Sequence, residues 1–124
     1  QLHNGEIITG KESDLLTAPS AVFLNVIKYL AKIPDDVYLL SPSVLESIFK
    51  MKQKTLYKKK YQLNLSEVMI ALSIGSTTII ETTLKQIDKM RGMEAHASYI
   101  ITDSELNVIK SLGINLTCEP RLIG

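Results

Sequence analysis

Three polar residues alternate along one short stretch of this sequence, GMEAHASY, at positions 92–99. Glu94, His96 and Ser98 are each separated by one residue, so an extended strand would direct all three side chains to the same face. A carboxylate, an imidazole and a hydroxyl are groups that general acid–base catalysis and ligand binding use. The same row also suits a hydrogen-bonded buried cluster that supports the core. These three residues are the candidate catalytic residues of the chain.

The remaining residues with metal-binding or nucleophilic chemistry are few, since the chain has two histidines, His3 and His96, and one cysteine, Cys118. A catalytic zinc site needs three protein ligands and a structural site needs four, so we expect neither a metal nor another cofactor. Cys118 and His96 could form a nucleophilic pair, but one helix joins their two predicted strands, which makes those strands parallel. We expect His96 early in one strand and Cys118 late in the other, toward opposite ends of the sheet. Cys118 is then a small buried residue.

The glycine-rich phosphate-binding motifs GxGxxG and GxxxxGK do not occur in this sequence. In SIGSTT, at positions 73–78, a glycine precedes a predicted helix start. The backbone amides around Ser76 and Thr77 could hold an anion there. A local charge bias lies in KMKQKTLYKKKY, at positions 50–61, which has six of the fourteen basic residues. This segment could bind phosphate or nucleic acid, but we favour a solvated helix end in which lysines complement the helix dipole.

The composition describes one folded domain of ordinary size, with 124 residues, 45% of them apolar and 22% charged. The net charge of +1 gives no reason to expect a nucleic acid or an anionic membrane as a partner. One cysteine excludes an internal disulfide framework and favours the reducing cytoplasm. The sequence has no apolar run of about 20 residues, which a membrane helix needs. It starts with Gln1 rather than Met, so we expect a fragment of a longer protein.

The elements that must position the candidate residues alternate between helix and strand. Apolar spacing and cap residues predict helices at 21–33, from 41–47 into the lysine-rich segment, and at 64–75, 77–90 and 102–113. Asn64 with Glu67 and Thr102 with Glu105 have the spacing of capping boxes. Strands are predicted as a β-hairpin around HNGE at 3–6, with EIIT at 6–9 as its second strand, and at 37–40, 93–101 and 114–118. This order predicts an α/β fold, a three-layer α/β/α sandwich whose mixed sheet opens with the β-hairpin.

The predicted order of hairpin, helix, strand and helix is similar to that of cytidine-deaminase-like domains. Those enzymes hold zinc with His and Cys residues at the starts of two helices. The corresponding segments here read TAPSAV at 17–22 and SPSVLES at 41–47, and neither contains His or Cys. The resemblance therefore implies this topology without zinc ligands.

Six phrases spread over nearly the whole chain carry a second resemblance. The phrases are TGKESDLL (9–16), SAVFLNVIK (20–28), LLSPSVLE (39–46), LNLSEVMIALSI (63–74), EAHASYI (94–100) and LGINLTCEP (112–120). They resemble the C-terminal domain of the bacterial "domain of unknown function 1846" family, also called UPF0371. Members of that family are longer and have several domains. The resemblance implies that residues 1–124 are a single α/β domain at the C-terminal end of a larger protein.

Two functional expectations follow from these patterns. The first is an accessory domain that packs against the remaining domains of a longer chain or forms a homo-oligomer, because helices 21–33 and 64–75 are apolar around most of their circumference. The second is that Glu94, His96 and Ser98 contribute to an active site or nucleotide-binding cleft between domains.

Overall fold

The computed structural model describes residues 1–13, 16–34, 37–40, 42–56, 62–98 and 101–118. Within these residues the chain forms five helices and two strands, which confirms the mixed α/β class. In chain order the elements are α1 (Ala18–Ala31), α2 (Pro42–Leu56), α3 (Leu65–Ser73), α4 (Thr77–Met90), β1 (Glu94–Ala97), α5 (Asp103–Ser111) and β2 (Asn115–Cys118). All five helices and the two C-terminal strands coincide with predicted segments.

The helices begin where the sequence supplies capping side chains. Asn64 and Glu67 form the predicted capping box of α3: Asn64 Oδ1 accepts from the Glu67 amide at 3.0 Å, and Glu67 Oε1 accepts from the Asn64 amide at 3.1 Å. Thr17 caps α1 with a single bond of this kind, its hydroxyl oxygen accepting from the Ser20 amide. These caps satisfy amides that would otherwise have no partner in the first helical turn.

The two strands pair in parallel and are connected by α5, as the sequence predicts. Glu94 lies opposite Asn115, and His96 lies opposite Thr117. A parallel pair needs a crossover connection of this kind, because a tight turn can join only antiparallel neighbours. The register therefore brings two segments about twenty residues apart in the sequence into one short sheet.

The predicted β-hairpin at the start of the chain is wrong, although a tight turn does form. The Leu2 amide donates to the Glu6 carbonyl at 2.9 Å, and the Gly5 amide donates to the Leu2 carbonyl at 3.0 Å. A type I′ turn requires positive φ at both central residues, but of Asn4 and Gly5 only Gly5 adopts it. The residues after the turn run along α1 instead of forming a strand.

The predicted strand at 37–40 is also wrong, since these residues form bends. Leu39 and Leu40 are both buried, whereas Val37 and Tyr38 are 44% and 73% exposed. A central strand would bury all four side chains, and a half-buried strand would bury alternate ones. The apolar run instead anchors the connection between α1 and α2 through its last two residues.

The core lies between the helices and the inner face of the sheet. Ile27 of α1, Leu63 just before α3 and Val68 within α3 are fully buried, and Leu2 joins the same cluster from the start of the chain. The sheet of the described residues has two strands, so the three-layer sandwich and the deaminase-like strand order stay predictions. In the part of the chain that the structure describes, no helix is long and apolar enough to cross a membrane.

Candidate functional site

The polar row predicted from the sequence lies on the exposed face of the β1–β2 sheet. Glu94 and His96 are exposed, whereas Ala97 is buried and Ala95 is half-buried, so burial alternates along β1. This alternation confirms that Glu94 and His96 share one face. Ser98 follows in the bend after β1 and is also exposed.

The partner strand extends this face through Asn115 and Thr117, which are exposed and lie opposite Glu94 and His96. His96 Nδ1 is 3.0 Å from Thr117 Oγ1, and Thr117 Oγ1 donates to the Ala95 carbonyl at 3.3 Å. The imidazole ring therefore contacts Thr117 through Nδ1, whichever ring nitrogen has the proton. This contact fixes the orientation of the ring on the sheet face.

A cavity of about 490 Å³ brings these residues together with apolar ones. It is lined by the N-terminal segment, by α1 and by the sheet, and the sheet residues at its wall include Glu94, His96, Ser98 and Thr117. Most of the remaining lining is apolar, as with Val22, Phe23 and Leu116. This size and this mixture of many apolar groups with a few polar ones are typical of small-molecule sites.

The position of Cys118 corrects one prediction. The register pairs Cys118 with Ala97, one place beyond the His96–Thr117 pair, so His96 and Cys118 do not lie toward opposite ends of the sheet. The prediction was wrong because β1 ends at Ala97, which places His96 in its second half. The cross-strand neighbour of His96 is nevertheless Thr117, and burial of the Cys118 side chain stays a prediction. The described residues contain no group of three or more metal ligands.

The second predicted site lies at the start of α4, where Ser76 is the N-cap and Thr77 is the first helical residue. Ser76 Oγ accepts from the Ile79 amide at 3.3 Å, and both residues are exposed. An anion at this position would compete with that capping bond for the same end of the helix. Anion binding here stays a prediction.

One lysine of the predicted basic segment has a structural role. Lys52 Nζ donates to the Gln62 carbonyl at 2.8 Å and to Glu67 Oε1 at 3.0 Å, and its side chain is 15% exposed. It therefore ties α2 to the start of α3 rather than facing a ligand. Residues 57–61, which include the three consecutive lysines, lie outside the described residues.

Sequence reasoning missed a buried carboxylate at Glu105. This side chain is 4% exposed, and its Oε2 accepts from the Thr17 hydroxyl at 2.7 Å and from the Leu65 amide at 3.0 Å. Glu105 was expected to complete a capping box with Thr102, whose hydroxyl does accept from the Glu105 amide. The missed signal is its spacing, since Glu105 stands four and seven residues before Ile109 and Leu112 on the apolar face of α5.

The buried polar cluster around Glu105 continues through Ser20, which is fully buried. Ser20 Oγ donates to the Leu63 carbonyl at 2.9 Å, and the Thr17 amide donates to the same carbonyl at 3.1 Å. The cluster holds the starts of α1, α3 and α5 together, where a carboxylate interacts favourably with the helix dipoles. Its groups satisfy one another, so we assign it to structure rather than to chemistry.

The fold and site thus define a mixed α/β domain with a polar face on a short parallel sheet. The model of the family described as "Domain of unknown function DUF1846, C-terminal" matches residues 1–123, and the chain belongs to this family. A "UPF0371 protein" of Clostridium botulinum (strain Eklund 17B / Type B) is 43% identical over 97% of this chain and 24% of its own length. A "UPF0371 protein" of Fusobacterium nucleatum is 39% identical over 96% of this chain and 24% of its own length.

The chain spans about a quarter of the length of the curated relatives that it matches. The UPF0371 protein of Clostridium tetani, for example, is 38% identical over 97% of this chain, and the match covers 24% of that protein. The matched family region is the C-terminal one. These matches confirm the family resemblance.

Proposed function

We propose that this domain is an accessory domain that packs against the remainder of a longer UPF0371 protein. The observation that carries the proposal is a pair of exposed isoleucines, Ile70 and Ile74, each 65% exposed and one helical turn apart at the end of α3. The opposite side of α3 is buried through Val68, Ala71 and Leu72. A helix that is apolar on both its buried and its exposed side is typical of one that meets a second partner.

The partner that we favour is the remaining three quarters of the longer chain, rather than a second copy of this domain. Such packing could also complete the predicted three-layer sandwich and its deaminase-like order, because strands from the remainder would extend the two-stranded sheet. The single cysteine, Cys118, supports placing that protein in the cytoplasm.

The proposal is tested by producing residues 1–124 and the remainder of the protein as separate chains and measuring their association by light scattering. We expect a complex, weakened at least tenfold by the double substitution Ile70→Lys and Ile74→Lys, which places two charges in the interface. Met51→Lys is the control, because Met51 is 68% exposed but lies on α2. A domain that remains monomeric and shows no affinity for the remainder contradicts the proposal.

The homo-oligomer has a different signature in the same experiment. If residues 1–124 form a dimer that the two Lys substitutions dissociate, the α3 surface is a self-association surface instead. That result would reject packing against the remainder.

The second candidate function is a ligand site between domains, supported by the cavity that Glu94, His96 and Ser98 line together. We infer that His96 would contribute its imidazole there to ligand binding or general acid–base chemistry, while Thr117 fixes the ring orientation through Nδ1. A nucleotide is the ligand class to test first. Its base could pack on the apolar wall while its polar groups meet the sheet face.

The test is a thermal-shift screen of nucleotides on the full-length protein. We expect at least one nucleotide to raise the unfolding temperature, and His96→Ala to remove that rise. Asn107→Ala, an exposed change on α5, is the control and should leave the rise intact. The same stabilisation in the wild-type protein and in His96→Ala, or none with any nucleotide, contradicts the site.

A further inference from the structure

The edge of β1 that faces away from β2 can be assigned from one ladder hydrogen bond. The Asn115 amide donates to the Met93 carbonyl at 2.8 Å. In a parallel ladder this pattern directs the backbone groups of Ala95 toward β2 and those of Glu94 and His96 away from it. The Glu94 carbonyl therefore lies on the outer edge of β1.

The first residues of the chain run along this outer edge. The amino nitrogen of Gln1 donates to the Glu94 carbonyl, and His3 Nε2 is 3.1 Å from the Arg91 carbonyl. The His3 ring also lies 3.6 Å from the position that a Cβ would take at Gly92. Gln1 thus lies beside Glu94, and His3 lies beside Arg91. The two segments therefore run in opposite directions.

The direction of this entry segment is fixed by packing. Leu2 is 5% exposed within the core, and its amide and carbonyl close the turn through Glu6 and Gly5. The preceding residue is thereby held beside Glu94. In a longer chain the Gln1 nitrogen is a peptide N–H, which can donate to the same carbonyl.

We propose that the segment immediately before Gln1 in the full-length protein adds an antiparallel strand to the outer edge of β1. The relatives, of which this domain is the C-terminal 24%, have chain available for such a strand. Continuing the observed direction places the residue two positions before Gln1 opposite His96, on the polar face of the sheet. The interface is built by backbone pairing and does not involve the α3 surface. The experiments can therefore reject strand addition without rejecting packing through α3, and the reverse.

A disulfide between the two strands tests this register in the full-length protein. The two cysteines are His96→Cys and a cysteine two positions before Gln1, in a background where other cysteines, including Cys118, are replaced by serine. Directly opposite residues of an antiparallel pair have Cα atoms about 5.5 Å apart, within the range that a disulfide spans. We expect the bond to form under mild oxidation, detected by mass spectrometry.

The matched control keeps the upstream cysteine and pairs it with Thr117→Cys. Thr117 is exposed on the same face but lies one strand farther away, at about 10 Å, beyond disulfide reach. Both variants remove the same His96–Thr117 contact, so they are equally perturbed. The proposal is overturned if no disulfide forms in the His96→Cys variant, or if it forms to the same extent in the Thr117→Cys variant.

Hydrogen exchange of the unsubstituted full-length protein provides a second measurement that needs no variant. The Gln1 amide and the amides that pair with β1 are expected to exchange at least tenfold more slowly than those of an unstructured peptide. Faster exchange throughout this segment overturns the proposal.

Discussion

At the scale of single residues, Glu105 contributes more to stability than its sequence position indicates. Its carboxylate is buried between three helix starts and accepts hydrogen bonds from Thr17 and Leu65. A buried donor that loses its acceptor incurs its full desolvation cost. Glu105 therefore couples the start of α1 to the start of α3 across a long separation in sequence.

We predict that Glu105→Ala lowers the free energy of unfolding by about 2–4 kcal/mol, because two buried donors lose their acceptor. Glu105→Gln keeps an acceptor oxygen and should cost less. Urea unfolding of the 124-residue chain measures both changes. The control is Glu81→Ala, an exposed change on α4 that should stay within about 0.5 kcal/mol. Equal losses at Glu105 and Glu81 would contradict the assigned role.

The polar face of the sheet shows what could be predicted residue by residue. Alternation along the sequence was enough to place Glu94 and His96 on one face. The partner of His96 was not predictable, because Thr117 becomes its neighbour only through the register between the two strands. Glu105 was likewise assigned to a local cap because its true partners lie 88 and 40 residues away.

At the scale of elements, the approach of the N-terminal segment to α1 depends on a residue without a side chain. A Cβ at Gly10 would lie 2.5 Å from the Val22 backbone nitrogen, which is closer than atoms can approach. Asn25 Nδ2 donates to the Thr9 carbonyl at 3.0 Å and holds the same segment in place. Thr9 and Gly10 are therefore held directly against α1.

We predict that Gly10→Ala destabilises the chain by about 1–3 kcal/mol, since the added methyl group meets the helix backbone and forces the segment outward. Lys11→Ala, at the exposed neighbouring residue, is the control and should have little effect. Thermal unfolding of both variants measures the difference. A Gly10→Ala variant as stable as Lys11→Ala would show that the close approach is not maintained.

Helices were predicted well because their caps and periodicity are local, as Asn64 and Glu67 illustrate. The segments at 6–9 and 37–40 were predicted as strands because their apolar residues suit strands. A strand also needs a partner of suitable register, and no local pattern encodes one. Leu39 and Leu40 are instead buried as part of the connection between α1 and α2.

At the scale of the whole molecule, packing is uneven. The cavity of about 490 Å³ lies beside α1, where Val26 lines it, whereas Val68 of α3 is fully buried in the core. Interiors without such space are close-packed, and one extra methylene is felt there. The two valines therefore differ in the volume available around them.

We predict that Val26→Ile is neutral or stabilising by up to about 1 kcal/mol, because the added methylene enters the cavity. Val68→Ile adds the same group to the packed core and should destabilise by about 1–3 kcal/mol. Urea unfolding of the 124-residue chain compares the two variants directly. Equal destabilisation by both would show that the cavity is not available to a larger side chain.

The contact between Gln1 and Glu94 spans 93 positions in the chain. On a ribosome, which makes proteins from the N-terminus, Leu2 emerges long before β1, α5 and β2 exist to receive it. The contact of Gln1 must then wait until Glu94 has been translated. A truncation that removes β2 would leave β1 without its parallel neighbour, and the first residues of the chain would then lack a formed sheet to receive them.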